Sequence, residues 1–140
     1  MAFFLASPVV VGMLNTTGLS TAIDAGTAAV IEIFSGSVPA DADATNAGTL
    51  LARLTCSATA FSSVAAVGNN AVATFAAIAS GAAVATGTAT FFRILTQAGG
   101  TVIAQGAVGT SSAELILNTV AITTGSTVSI TSATITLPEG

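Results

Sequence analysis

The residues closest to a ligand-binding pattern in this chain are Asp41-Ala42-Asp43-Ala44-Thr45-Asn46, which places side-chain oxygens at alternate positions just before Gly48. Calcium favours oxygen-rich loops of this kind, but a calcium loop runs twelve residues and closes on a bidentate Glu, and neither is present. A solvated turn with local Asx hydrogen bonds is therefore the reading carried forward. The other candidates for chemistry are few. Arg53 and Arg93 are the only cations, and Asp24, Glu32, Glu114 and Glu139 complete the acids. There is no His and no Lys. A Ser or Thr nucleophile needs a base, and no His or Lys exists to take its proton. Cys56 is the single cysteine, so it cannot form an intrachain disulfide, and with no basic neighbour to stabilise a thiolate it reads as a small buried hydrophobe. Paired carboxylates for glycoside chemistry would have to be Asp41 and Asp43, in a loop without aromatic partners for a sugar. The expectation is a protein that is not an enzyme and holds no metal or cofactor.

Glu32, Arg53 and Arg93 matter in another way, because all three fall inside strand-like segments. Arg93 shares a face with Phe91 and Leu95, an unusual place for a charge, and an unpaired buried charge is costly. Two readings follow. In one, Glu32 pairs across strands with Arg53 or Arg93. In the other, Arg93 lies at a subunit interface, where guanidinium groups are enriched.

The elements that must position these residues follow from periodicity. Ser7-Pro8 suits a helix start and Gly26 a helix stop, so a helix is expected over about residues 10–25, the alternative being a short strand at Val9–Val11 and a loop. From Ala28 the period becomes two. Val30–Phe34 is a strand with Ile31 and Ile33 on one face and Val30, Glu32 and Phe34 on the other. Ser35–Gly48 is a loop. Thr49–Thr55 is a strand with Leu50, Ala52 and Leu54 pointing one way. Phe61–Ala79 is less regular, with a turn at Gly68-Asn69-Asn70 and a strand over Ala71–Ala77. Ala85–Thr96 reads as one long strand, reversed by Gln97-Ala98-Gly99-Gly100 into Thr101–Val108, the clearest hairpin in the chain. Glu114–Leu117, Val120–Ile122 and Ser126–Leu137 complete the set. In the last, Val128 and Ile130 lie on one face and Ile135 and Leu137 on the other, which predicts a β-bulge near Thr131–Thr134, the alternative being a strand covered on both faces. The fold class is mainly β: an antiparallel β-sandwich, with a jelly roll as one form of it. The domain division is an N-terminal arm or helix over 1–27 and a sandwich over 28–140, with no composition shift to mark a second domain.

Composition bounds the partners. Ala, Thr, Gly and Ser number 30, 22, 14 and 13 of 140 residues, and the formal net charge is −4. Two arginines cannot displace the counterions of a nucleic acid, so no nucleic-acid partner is expected. The first 23 residues carry no charge but lack the basic segment of a signal peptide. The uncharged stretch from Leu54 to Phe92 is broken by Gly and filled with Thr and Ser, so a membrane partner is not expected. Sheets normally guard their edges with charge, Lys above all. A chain without Lys must keep its edges short, covered or paired with another copy, which points to a homo-oligomer. Seven Phe residues crowd a core this small. Phe3, Phe4, Phe91 and Arg93 are the candidate interface residues.

Three segments carry a family resemblance. They are Ala22-Ile23-Asp24-Ala25-Gly26 with Val30–Phe34 and Gly36-Ser37-Val38-Pro39-Ala40; Gly48–Leu54 leading to Ala60-Phe61; and Ala85–Ile94 with Gly106-Ala107-Val108-Gly109, Leu115–Asn118 and Thr127–Leu137. Over about residues 15–137 the chain resembles small virion proteins of tailed phages and prophages, of the head decoration (cement) type. It departs from them at Phe92, where Trp is common, and at Gln97-Ala98, where an acidic turn is usual. The resemblance implies a protein that sits on the outside of the virion, bound to the major capsid protein as a homotrimer, with residues 1–8 as an anchoring arm. The other readings are a tail, collar or fibre component, and a secreted module of the pilin or adhesin kind.

Overall fold

The computed structural model describes residues 3–6, 18–68 and 70–138. Its strands are β1 (Phe4–Leu5), β2 (Val30–Ser35), β3 (Thr49–Thr55), β4 (Phe61–Val67), β5 (Asn70–Phe75), β6 (Gly81–Ala82), β7 (Gly87–Thr88), β8 (Phe91–Leu95), β9 (Val102–Gly109), β10 (Leu115–Leu117), β11 (Ala121–Ile122), β12 (Thr127–Val128) and β13 (Ile130–Pro138). The helix among the described residues, α1, is Leu19–Ile23. The principal sheet runs β3-β2-β8-β9-β10-β13-β5-β4, with β1 beside β9. Short ladders β7–β11 and β6–β12 accompany it.

The fold is mainly β, and the sheet curls so that both halves share one core. Ile31, Ile33, Ile94 and Ala104 from the first half meet Ala73, Leu115, Ala133 and Ile135 from the second in a single buried cluster. One pairing departs from the antiparallel expectation: β9 and β10 run parallel through Val108–Leu115 and Gly109–Ile116. The five residues between them re-enter the sheet in the same direction and carry the chain from one half to the other.

The hairpin at residues 97–100 is present. Gly99 adopts φ of 72°, which side-chain-bearing residues rarely take, and Gly100 N–H donates to the Gln97 carbonyl at 2.8 Å. The bulge in the last strand is present too. Ile116 opposes Ser132 and Leu117 opposes Ile130, so Thr131 is the extra residue. It turns Val128 and Ile130 to the same core as Ala133, Ile135 and Leu137.

Four expectations are corrected. A second bulge, at Leu51, puts Ile33 opposite Ala52 and Phe34 opposite Leu50, so Leu51, Ala52 and Leu54 enter the core and Leu50 does not. The long strand expected over Ala85–Thr96 is divided into β7 and β8, because its two parts pair with different partners, β11 and the β2/β9 pair. The irregular stretch from Phe61 is two strands, β4 and β5. The described helix is five residues long, Leu19–Ile23, with Gly18 as an N-cap that makes no side-chain cap bond and Asp24 rather than Gly26 as its C-cap. Residues 7–17, which include the Ser7-Pro8 start, lie outside the described residues.

The aromatic crowding resolves into three ring pairs. Phe3 tilts against Phe92 with centroids 6.4 Å apart, Phe34 stacks on Phe91 at 5.2 Å, and Phe61 meets Phe75 edge-on at 4.9 Å. Space for the first pair comes from Gly106, where a Cβ would come within 2.9 Å of both Phe3 and Phe92 ring carbons. Among the described residues no helix is long and apolar enough to cross a membrane.

Candidate functional site: a polar row beneath the 36–48 loop

Strands β3, β2, β8 and β9 lie side by side in a register that sets Arg53 opposite Glu32, Glu32 opposite Arg93, and Arg93 opposite Gln105. Four polar side chains thus cross four strands in one row. They occupy the face opposite the main core, because Ile31, Ile33, Ile94 and Ala104 alternate with them and point inward. Three of the four are buried: Glu32, Arg93 and Gln105 are 8%, 6% and 0% exposed.

The row begins at the surface. Arg53 Nε donates to Glu32 Oε2 at 2.7 Å, and Arg53 Nη2 lies 2.6 Å from the same oxygen. This is the cross-strand pair expected for Glu32. Arg93 takes other partners. Its Nε donates to Gln105 Oε1 at 3.2 Å, and its Nη2 donates to the Ala44 carbonyl at 2.7 Å and more weakly to that of Asp41 at 3.4 Å. Gln105 Nε2 in turn donates to the Pro39 carbonyl at 2.9 Å. Two buried side chains on neighbouring strands therefore hold three carbonyls of the 36–48 loop. Burial lowers the Arg93 pKa from its usual value, and the carboxylates of Asp41 and Asp43 work in the opposite direction. A guanidinium remains charged under such conditions.

The loop is shaped for this. Asp43 N–H donates to Asp41 Oδ1 at 3.0 Å and Gly48 N–H to Asn46 Oδ1 at 2.7 Å, the Asx turns expected of this sequence. These turns aim the backbone carbonyls of Asp41 and Ala44 at Arg93. Ala42, between the two Asp residues, is buried at 1% exposure. At the start of the loop, Thr90 Oγ1 donates to the Gly36 carbonyl at 2.9 Å. Among the described residues no buried side-chain polar atom lacks a partner, and no three of His, Cys, Asp and Glu cluster in a way that could hold a metal ion.

The four residues singled out from the sequence are placed as follows. Phe91 is fully buried against Phe34, beside the polar row. Arg93 is covered by the loop of its own chain. Phe3 is half-buried against Phe92. Phe4 opposes Gln105 on β1, at the end of the row. The structure brings Phe91, Arg93 and the β1 backbone into one region. The residue that sequence reasoning missed is Gln105. Its signal was a lone amide in the otherwise apolar or glycine run Val102–Gly109, on the strand that the hairpin returns beside Arg93.

Other clefts carry less chemistry. One of about 260 Å3 lies between residues 74–78 and 130–133 and has no charged lining residue. An apolar one of about 230 Å3 is lined by Leu19, Phe61, Val64, Ile135 and Leu137. A third of about 350 Å3 holds Glu114 with Ser112, Thr134 and Thr136. Cys56 is buried, and its thiol pKa is pushed up to about 11 by burial and then by Asp24.

No protein-family model, curated protein or solved structure matches the chain.

Proposed function

We propose that this protein is a non-enzymatic virion component that decorates the outside of a tailed-phage capsid and clamps neighbouring capsomers together as a homo-oligomer. The observation that supports the reading best is the near absence of charge on an extended β surface. Eight charged side chains serve 140 residues, and the row just described engages three of them, Arg53, Glu32 and Arg93, in contacts within the chain. Past its first residue the outer strand β4 holds only Ser, Ala and Val, with Val64 and Val67 61% and 59% exposed. Such a surface suits contact with other neutral protein surfaces better than life as a free monomer. Clamping would work by multivalency, since several modest contacts made together bind far more tightly than one.

The resemblance supplies the trimer and the capsid protein as partner. A second reading, a tail, collar or fibre component, rests on the same neutral sheet. Copy number separates the two. Copies on the order of hundreds per particle mean the shell, whereas about six or twelve mean a vertex or tail. The direct test is to add the purified chain to shells that lack it and measure occupancy by mass. Saturable binding that raises shell resistance to osmotic shock supports the proposal, and absence of binding overturns it. Deleting residues 1–8 tests the arm separately: unchanged occupancy excludes an anchoring role for it.

A further inference from the structure

The principal sheet has two outer edges, and the chain treats them differently. The edge at β3 is covered. Val84 N–H donates to the Leu51 carbonyl at 2.8 Å and Ala79 N–H to the Thr55 carbonyl at 3.2 Å. A charged side chain, Arg53, also stands exposed on that strand. Among the described residues nothing covers the edge at β4. Residues 62–67 are all exposed, and beyond the ladder with β5 none of their backbone groups bonds to another described residue. Natural edges are blunted by charge, Pro, bulges or a covering segment. Ser62-Ser63-Val64-Ala65-Ala66-Val67 has no charge and no Pro, and its one irregularity, at Ser62, lies at its beginning. Val64 and Val67 are 61% and 59% exposed on the two faces of this strand.

We infer that the β4 edge is the self-association surface of this protein, where two copies pair antiparallel through residues 62–67 and continue one sheet into the next. The occupant is a second copy of this chain for two reasons. First, the charges fit. Each copy carries a net charge of −4, yet β4, β5 and β13, the three strands at this end of the sheet, contain no Asp, Glu, Lys or Arg. Two copies meet here without bringing like charges together, and a charged partner would find no ion to pair with. Second, an antiparallel strand is self-complementary about a two-fold axis. A sheet with one bare edge closes as a pair, whereas a ring or filament built edge to edge would need two. The inference rests on the homo-oligomer of the function proposed above but makes its self-contact a two-fold pair in place of the trimer that the resemblance supplies, and it is read from the free protein, so its outcome is independent of shell binding.

The test is the mass of the purified chain in solution by light scattering and sedimentation, for wild type, for V64K/A66K, for V64D/A66D, and for V84K as a control at the opposite edge. Wild type and the control should run at twice 13.4 kDa or another even multiple of it, and a wild-type trimer overturns the proposal. Each double variant should lose the pairing, with an association at least tenfold weaker and unchanged circular dichroism. Mixing the Lys and Asp variants should restore it. A monomeric wild type, or a Lys variant that keeps the wild-type mass, overturns the proposal. Should a double variant fail to fold, hydrogen exchange on wild type decides. Protection at residues 62–67 that grows with protein concentration supports the pairing, and protection independent of concentration overturns it.

Discussion

Arg93 and Gln105 face each other across the β8–β9 ladder, and the guanidinium donates to the amide oxygen at 3.2 Å while both side chains reach past each other to the 36–48 loop. The pair converts a buried positive charge into a clasp. Carbonyl oxygens and one amide solvate it, and the loop is held over the sheet in return.

Replacing Arg93 with Ala should therefore act on stability. The substitution leaves Gln105 Oε1 and the Ala44 carbonyl without a donor in a buried site, a loss of about 2–3 kcal/mol. Urea unfolding measures it. Arg93→Lys should recover only part, because an ammonium lacks the planar fork that reaches both partners. Loss of oligomer mass in a variant whose stability is unchanged would instead place Arg93 at a subunit contact.

The alkaline limb of stability should belong to one residue. The chain has no Tyr and no Lys, and a single Cys. Cys56 rises from an ordinary value of 9.0 to about 11. Below pH 9 the thiol is protonated in both states and costs nothing. Between about pH 9 and 11 the unfolded chain loses the proton that the folded chain keeps, so stability should fall by about 2–3 kcal/mol over that window and level off above it. The pH dependence of the unfolding free energy shows this, and Cys56→Ala should flatten the curve between pH 9 and 11.

Gly106 should tolerate no side chain of ordinary size. A Cβ there meets ring carbons of Phe92 and Phe3 at under 3.0 Å. Gly106→Val should destabilise by about 1–3 kcal/mol through overpacking and push Phe3 outward. The Ala6 amide, which donates to the Ile103 carbonyl at 2.9 Å, should then exchange faster with solvent. Hydrogen exchange reads that local effect apart from global stability.

Deleting Thr131 should be far worse than mutating it. Thr131→Ala removes an exposed hydroxyl that donates to the Ile116 carbonyl at 3.2 Å, a loss of about 1 kcal/mol or less. Deletion removes the bulge itself. Either Val128 and Ile130 or Ala133 and Ile135 must then turn away from the core, at about 3 kcal/mol or more. Thermal unfolding of the two variants separates a phase-setting residue from an ordinary one.

The bulge at Thr131 was legible because apolar residues on both sides of it disagree in parity, and burial forces the phase to reset. The bulge at Leu51 was hidden by its own sequence. In Thr49-Leu50-Leu51-Ala52-Arg53-Leu54 either of two phases buries apolar residues, so alternation alone selects Leu50 and the structure selects Leu51. The extra residue at Ile103 was hidden in the same way and had the larger consequence. Counting outward from the hairpin, where Thr96 N–H donates to the Thr101 carbonyl, sets Arg93 opposite Ala104. With Ile94 opposite Ala104 and Leu95 opposite Val102, the bulge moves Arg93 to Gln105. The acceptor was thus one residue away from where the turn alone would put it.

The amino-acid sequence by itself determined the β class, the 97–100 hairpin, the strands carrying Glu32, Arg53 and Arg93, and the burial of Cys56, since each depends on short-range periodicity or on side-chain polarity. Tertiary structure decided that Glu32 pairs with Arg53, that Arg93 is solvated by Gln105 and loop carbonyls, and that, among the described residues, β3 is covered while β4 is bare. These outcomes turn on which strands become neighbours and in what register. A shift of one residue exchanges the two faces of a strand, and only the packing of the whole sheet around a single core fixes that choice.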